Sequence, residues 1–129
     1  MELRDRALHA STLAENPISD FRPMAAKAGS EYPGLQGRDI IVETPASSLS
    51  QVDTIHSISN PPVMIDGDDS SVDMPVEAQH VHRDDPDSHC LMKNSYDVAL
   101  SRSDDAWVIE QVTVDNVWRT WSPRVLAVV

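Results

Sequence analysis

From Ile55 onward, hydrophobic and polar residues alternate with a period of two, the pattern of strands whose successive side chains face opposite sides. The clearest stretch is 72–82, where Val72, Met74, Val76, Ala78, His80 and His82 share one face and Asp73, Pro75, Glu77, Gln79 and Val81 the other. The same alternation over 90–101 sets Cys90, Met92, Asn94, Tyr96, Val98 and Leu100 against Leu91, Lys93, Ser95, Asp97, Ala99 and Ser101. A run from Val63 to Ile65 leads into Asp66-Gly67, which predicts a hairpin because glycine accepts a positive φ, with 72–82 as the return strand. Residues 83–87 read as a loop, and 90–101 and 107–118 as a second hairpin about Ser103-Asp104-Asp105. Pro75 has no amide proton to give a ladder, so it predicts an edge position or a bulge.

The first third of the chain follows a different period. Leu3, Ala7, Ala10 and Leu13 fall at helical spacing, with a stop at Asn16-Pro17 and turns at Arg22-Pro23 and Tyr32-Pro33-Gly34. One helical turn fits over 24–28, so residues 1–36 read as a short or truncated helical N-terminal part. A second helix is expected from Gly37 through Glu43, broken or kinked at Pro45, with further turns through Leu49 and Val52. Helices first and an antiparallel meander over 55–121 predict a single α+β domain spanning 1–129, its helices packed on one face of a curved sheet.

Charge and composition narrow the function classes. The 129 residues carry 21 acidic and 10 basic side chains, a formal net charge of −11. That balance disfavours nucleic acid and anionic membrane as partners, since both select clustered Lys or Arg. No stretch approaches the roughly 20 apolar residues that span a bilayer, and MELRDRALHASTLAE has no signal-peptide core, so a cytoplasmic location is expected. A single cysteine, Cys90, excludes an intramolecular disulfide framework and a cysteine-built zinc knuckle.

The strand faces hold the candidate chemistry. The apolar side of 72–82 ends in His80 and His82, and that of 90–101 contains Asn94 and Tyr96. Buried polar groups cost free energy unless paired, and an apolar concave face bearing His, Asn and Tyr suits a small-molecule pocket. His80-Val81-His82 near His89-Cys90 has metal-ligand residue types, but Arg83-Asp84-Asp85-Pro86-Asp87 follows where a glutamate and glycines belong, so no metal is expected. Asp66-Gly67-Asp68-Asp69 lacks the spaced ligands of a calcium loop. Cys90 begins an apolar face and reads as core rather than nucleophile. Ser47, Ser48 and Ser50 have no nucleophile-elbow context, and Trp107, Trp118 and Trp121 read as core or interface anchors. His82 and His89 are expected at a rim or in a loop, and the face of Asp115 stays open.

An ordered series of segments over 35–118 carries a resemblance. It runs Gly37-Arg38-Asp39-Ile40-Ile41, Ile55-His56-Ser57-Ile58-Ser59-Asn60-Pro61, Ile65-Asp66-Gly67-Asp68 and Val76-Glu77-Ala78-Gln79-His80-Val81. It continues with Tyr96-Asp97-Val98-Ala99-Leu100, Asp105-Ala106-Trp107-Val108-Ile109 and Val117-Trp118. In these the chain resembles the SnoaL-like, scytalone dehydratase-like branch of the nuclear transport factor 2-like superfamily, which includes polyketide cyclases and ketosteroid isomerase. The resemblance implies a cone, in which a strongly bent antiparallel sheet wraps a pocket closed by N-terminal helices. It implies acid/base roles for His56 and His80, and a substrate contacted by Asn94, Tyr96, Met74, Val76, Met92 and Phe21. Asp20-Phe21 stands where such members carry an aspartate followed by a tyrosine, so that hydroxyl is absent. The implied activity is a cofactor-independent lyase or isomerase acting on a small apolar hydroxy-carbonyl compound, polyketide- or steroid-like. The alternative is a non-catalytic binding or assembly domain of the same fold. A homo-dimer or homo-trimer is expected, using the outward strand faces and Val125-Leu126-Ala127-Val128-Val129.

Overall fold

The computed structural model describes residues 5–29 and 31–121, and of Trp121 the backbone alone. Three short helices, α1 (Arg6–Ser11), α2 (Arg22–Lys27) and α3 (Arg38–Ser48), interleave with the first strands, β1 (Leu13–Asp20) and β2 (Leu35–Gln36). Then come β3 (Val52–Ile58), β4 (Val63–Asp66), β5 (Asp69–His82), β6 (Asp85–Ser103) and β7 (Ala106–Trp121). They make one curved sheet in the order β2-β1-β7-β6-β5-β3, with β4 also on β5. The fold is α+β, and the long strands β5, β6 and β7 form the antiparallel meander that the alternation predicts.

Local chemistry accounts for the turns. Gly67 takes φ 62° at the β4–β5 hairpin and Asp104 takes φ 55° at the β6–β7 hairpin. Pro75 lies where β3 has ended, at Ile58 opposite Val76, and β4 has only begun to pair, at Val63 opposite Val72. Its missing N–H therefore faces a gap between two edge strands, and the expectation of an edge position holds.

Four expectations are corrected. The helical spacing read through Leu13 to the stop at Asn16-Pro17 gives way earlier: the first helix stops at Ser11, and Leu13–Asp20 form β1, which pairs parallel with β7, so the sheet is mixed. Leu13, Ala14, Pro17 and Ser19 are buried in that strand. Pro17 is tolerated because the ladder to β7 is interrupted between Leu13 and Ile18. Second, α3 runs to Ser48 without breaking at Pro45, and Val52 already belongs to β3, so the first long strand starts three residues early. Third, the expected 83–87 loop shrinks to the turn at Arg83-Asp84, with Pro86 to Ser88 taken up by a register shift between Val81 and His82. Fourth, the short helical N-terminal part expected over 1–36 is two six-residue helices flanking β1, with the strand β2 after them.

The helices cover the sheet unequally. Ile41 and Val42 of α3 cluster with Leu13, beside Ala10, Leu35 and Ile109. Pairing between β1 and β7 ends at Asp20 and Thr113, so the second half of β7 has no neighbouring strand on that side, and α2 packs against β7. Met24 of α2 rests on Ala78, Cys90 and Met92. Among the described residues, no helix is long and apolar enough to cross a membrane.

Candidate functional site

Residues directly opposite in an antiparallel pair share a face, so the registers fix what lines the concave side. One row is Thr54, His80 and Cys90; the next is His56, Ala78, Met92 and Arg119; the third is Ile58, Val76, Asn94 and Asn116. Beyond them lie Met74, Tyr96 and Val114, then Val63, Val72, Val98 and Val112. Successive rows are about 7 Å apart along the strands. His80, Val76, Asn94, Met92, Met74 and Tyr96 thus share one face, as the alternation predicts, and His56 joins them from the edge strand.

The two imidazoles meet edge to face, with ring centroids 5.8 Å apart and planes at 82°. His80 is only 4% exposed, and its Nδ1 is sealed without a hydrogen-bond partner. Burial, then the neighbouring charge of His56, lowers its pKa to about 4. His56 stays open to solvent on the edge strand, while burial of its ring against the sheet lowers its pKa as well. Both rings are therefore neutral at pH 7. Burial pushes the Tyr96 hydroxyl up to about 12 and the Cys90 thiol up to about 11, so the one keeps its proton and the other is an inert core group.

A polar chain crosses the floor of the face. Arg119 Nη1 donates to Asn116 Oδ1 at 3.0 Å, and Asn116 Nδ2 donates to Asn94 Oδ1 at 2.9 Å. Arg119 Nη2 also donates to the Lys27 carbonyl at the end of α2. Lys27 Nζ in turn reaches the Asn116 carbonyl at 3.0 Å and Asp115 at 2.9 Å. These bonds clamp α2 to β7 and hold Met24 over Ala78 and Met92, so the helix closes the face by filling it. The described cavities lie elsewhere. One of about 400 Å³ separates α1 from α3, and one of about 600 Å³ is lined by residues including Leu13, Arg38, Arg102 and Glu110.

Other sequence-derived candidates fall as follows. Phe21 sits at the start of α2 with its ring against Tyr32, centroids 6.1 Å apart. Asp20 is engaged by Arg22 at 2.8 Å, which holds its carboxyl below the usual carboxylate range. His82 is buried rather than at a rim, because the tight Arg83-Asp84 turn folds back and the Asp84 amide donates to its Nδ1. Asp115 is opposite Ser95, on the convex side. Sequence reasoning missed Met24, Asn116 and Arg119. The parity of Val112, Val114 and Asn116 carried a signal for Asn116. Arg119 reaches the concave face only because a register shift between Lys93 and Asn94 places it opposite Met92. Among the described residues no three His, Cys, Asp or Glu side chains converge as metal ligands.

No curated protein matches the chain. Among solved structures, a Kribbella flavida protein is 21% identical with a TM-score of 0.76, over 92% of this chain and 80% of that one. A protein provisionally assigned as a scytalone dehydratase from Novosphingobium aromaticivorans is 16% identical, TM-score 0.75, over 93% and 76%. A type 2 hexachlorocyclohexane dehydrochlorinase is 14% identical, TM-score 0.75, over 92% and 76%. At these identities the likeness is one of fold. The family model for the SnoaL-like domain matches residues 4–113. With the curved sheet and its interleaved helices, that match establishes that the chain belongs to the SnoaL-like domain family, in the nuclear transport factor 2-like superfamily.

Proposed function

We propose that the protein is a cofactor-independent lyase or isomerase for a small, apolar hydroxy-carbonyl compound. The observation that carries this reading is the pair of neutral imidazoles 5.8 Å apart on an apolar concave face. Relatives of the same fold whose names denote a dehydratase and a dehydrochlorinase support an elimination.

The environments separate the two roles. A sealed Nδ1 without a partner disfavours a proton there, because a stranded N–H is costlier than a stranded lone pair. His80 then carries its proton on Nε2 and acts as a neutral hydrogen-bond donor, since its cation is disfavoured above pH of about 4. His56, open to solvent, has a free lone pair at pH 7 and can exchange the proton it takes. In the proposed step His56 removes a proton beside the substrate carbonyl, and the C–H electrons move toward the carbonyl oxygen, which accepts hydrogen bonds. They then form the new C=C bond as the C–O bond of the β-hydroxyl breaks. The hydroxide takes the proton back from His56 and leaves as water.

A β-hydroxy ketone of the tetralone type tests this, because its dehydration yields a fluorescent naphthol. His56→Ala and His80→Ala are each expected to lower turnover by on the order of 10²-fold. His80→Gln, which keeps a donor, retains more activity than His80→Ala, whereas His56→Gln rescues nothing. His89→Ala, at an exposed position, leaves turnover unchanged. Equal, full activity in all variants overturns the assignment.

One observation favours the binding-domain alternative: among the described residues no carboxylate hydrogen-bonds either imidazole, and Asp20 is held by Arg22. Tight binding of the ketone with no naphthol formed by the unaltered protein selects that reading.

A further inference from the structure

We infer that Asn116 and Arg119 are positioning residues that make Asn94 a hydrogen-bond donor on the concave face, so that the site selects an acceptor oxygen over a hydroxyl donor at that point. The inference rests on the proposed small-molecule site and deepens it. Its basis is the direction of each hydrogen bond. A guanidinium has five N–H donors and no acceptor, so Asn116 must turn Oδ1 toward Arg119 Nη1, 3.0 Å away. Asn116 Nδ2 then points the opposite way, where it donates to the Trp118 carbonyl at 3.1 Å, itself able only to accept. The orientation of the Asn116 amide is thereby set from both ends. Its Nδ2 also meets Asn94 at 2.9 Å, and only Oδ1 of Asn94 can accept there.

One consequence follows for Asn94. With Oδ1 engaged, its Nδ2 is the free end of the amide, and among the described residues it has no protein partner. Asn94 and Asn116 are 4% and 2% exposed, so bulk water does not average this polarity away. Asn94 lies one row beyond His56 along the strands, on the same face. A carbonyl oxygen placed there accepts from Nδ2; a hydroxyl that must donate finds no acceptor.

The test compares two unreactive probes, a tetralone ketone and the corresponding tetralol, by calorimetric affinity and by the C=O stretch of the isotope-labelled ketone. The unaltered protein is expected to bind the ketone about 5-fold more tightly than the alcohol, and to lower its C=O frequency. Asn116→Asp keeps size and keeps an acceptor for Arg119, but it cannot donate to Asn94. The Asn94 amide then turns over and presents Oδ1, so the preference inverts toward the alcohol and the C=O shift disappears. Arg119→Lys retains the ketone preference, and Arg119→Met weakens it, because only the Trp118 carbonyl then orients the Asn116 amide; this pair serves if Asn116→Asp does not fold. Ketone preference that stays undiminished in both Asn116→Asp and Arg119→Met overturns the relay and leaves the site standing. No binding of either probe by the unaltered protein overturns the site reading itself.

Discussion

His80 concentrates the cost of building this face. Its ring is buried, one nitrogen has no partner, and its pKa is held at about 4 against an ordinary 6.5. Between those values the unfolded chain binds a proton that the folded protein refuses. The neutral ring thus contributes stability that is fully present above pH 6.5 and lost as pH falls toward about 4, a total on the order of 3 kcal/mol. His9 and His56 are displaced in the same direction by burial and add to the slope. Urea midpoints of the native protein should therefore drop between pH 7 and pH 4.5. The drop should be smaller in His80→Gln, which has no proton to take up. Parallel pH curves for the two proteins would show that His80 titrates as it does in the unfolded chain.

At the scale of elements, α2 is the informative piece. Six residues are too few for a helix stable by itself, and Phe21 supplies no side-chain cap. Pro23 in the first turn suits the start, since its missing N–H is one that a helix leaves unpaired anyway. What holds the segment is tertiary: Met24 on Ala78, Cys90 and Met92, and the Lys27 and Arg119 clamp on β7. Met24→Ala should cost about 1–2 kcal/mol in a denaturant titration, below the range for fully buried methionine because Met24 is half-buried. The same variant empties space on the concave face and should tighten binding of a bulky ketone probe. Unchanged stability together with unchanged affinity would mean that Met24 does not fill the site.

Over the whole molecule, apolar surface remains on both sides of the sheet. On the convex side Ile55 is 70% exposed, and Trp118 and Val117 are open near the Glu77–Lys93 ion pair. On the concave side Ile58, Val63 and Ile65 lie beyond the reach of the three short helices. Self-association through the convex face is the expected outcome, with light scattering at tens of micromolar reporting a dimer or trimer and Ile55→Asp reducing the mass toward monomer. A monomer mass for the unaltered protein at that concentration counts against it. The C-terminal run 125–129, expected to contribute to such an interface, lies outside the described residues, as does the side chain of Trp121.

What the sequence alone determined is whatever depends on a short repeat. The period-two alternation placed His80, Asn94 and Tyr96 on the apolar side of β5 and β6, because successive side chains in any strand must face opposite ways. Gly67 marked its hairpin for an equally local reason. The family resemblance singled out His56, which no alternation distinguishes in that edge strand. Tertiary structure decided the rest. Leu13 continues the helical spacing of Ala7 and Ala10, and Pro17 follows, yet residues 13–20 form a strand because β7 offers them a ladder and a buried side. Arg119 sits on the odd parity of β7 and reaches the concave face only through a register shift. Its guanidinium and the Asn116 carbonyl meet Lys27 at the end of α2 from positions 92 and 89 residues away in sequence. No local pattern encodes such a meeting, since the hydrogen bonds that orient the site exist only once the sheet has curved and the helix has docked.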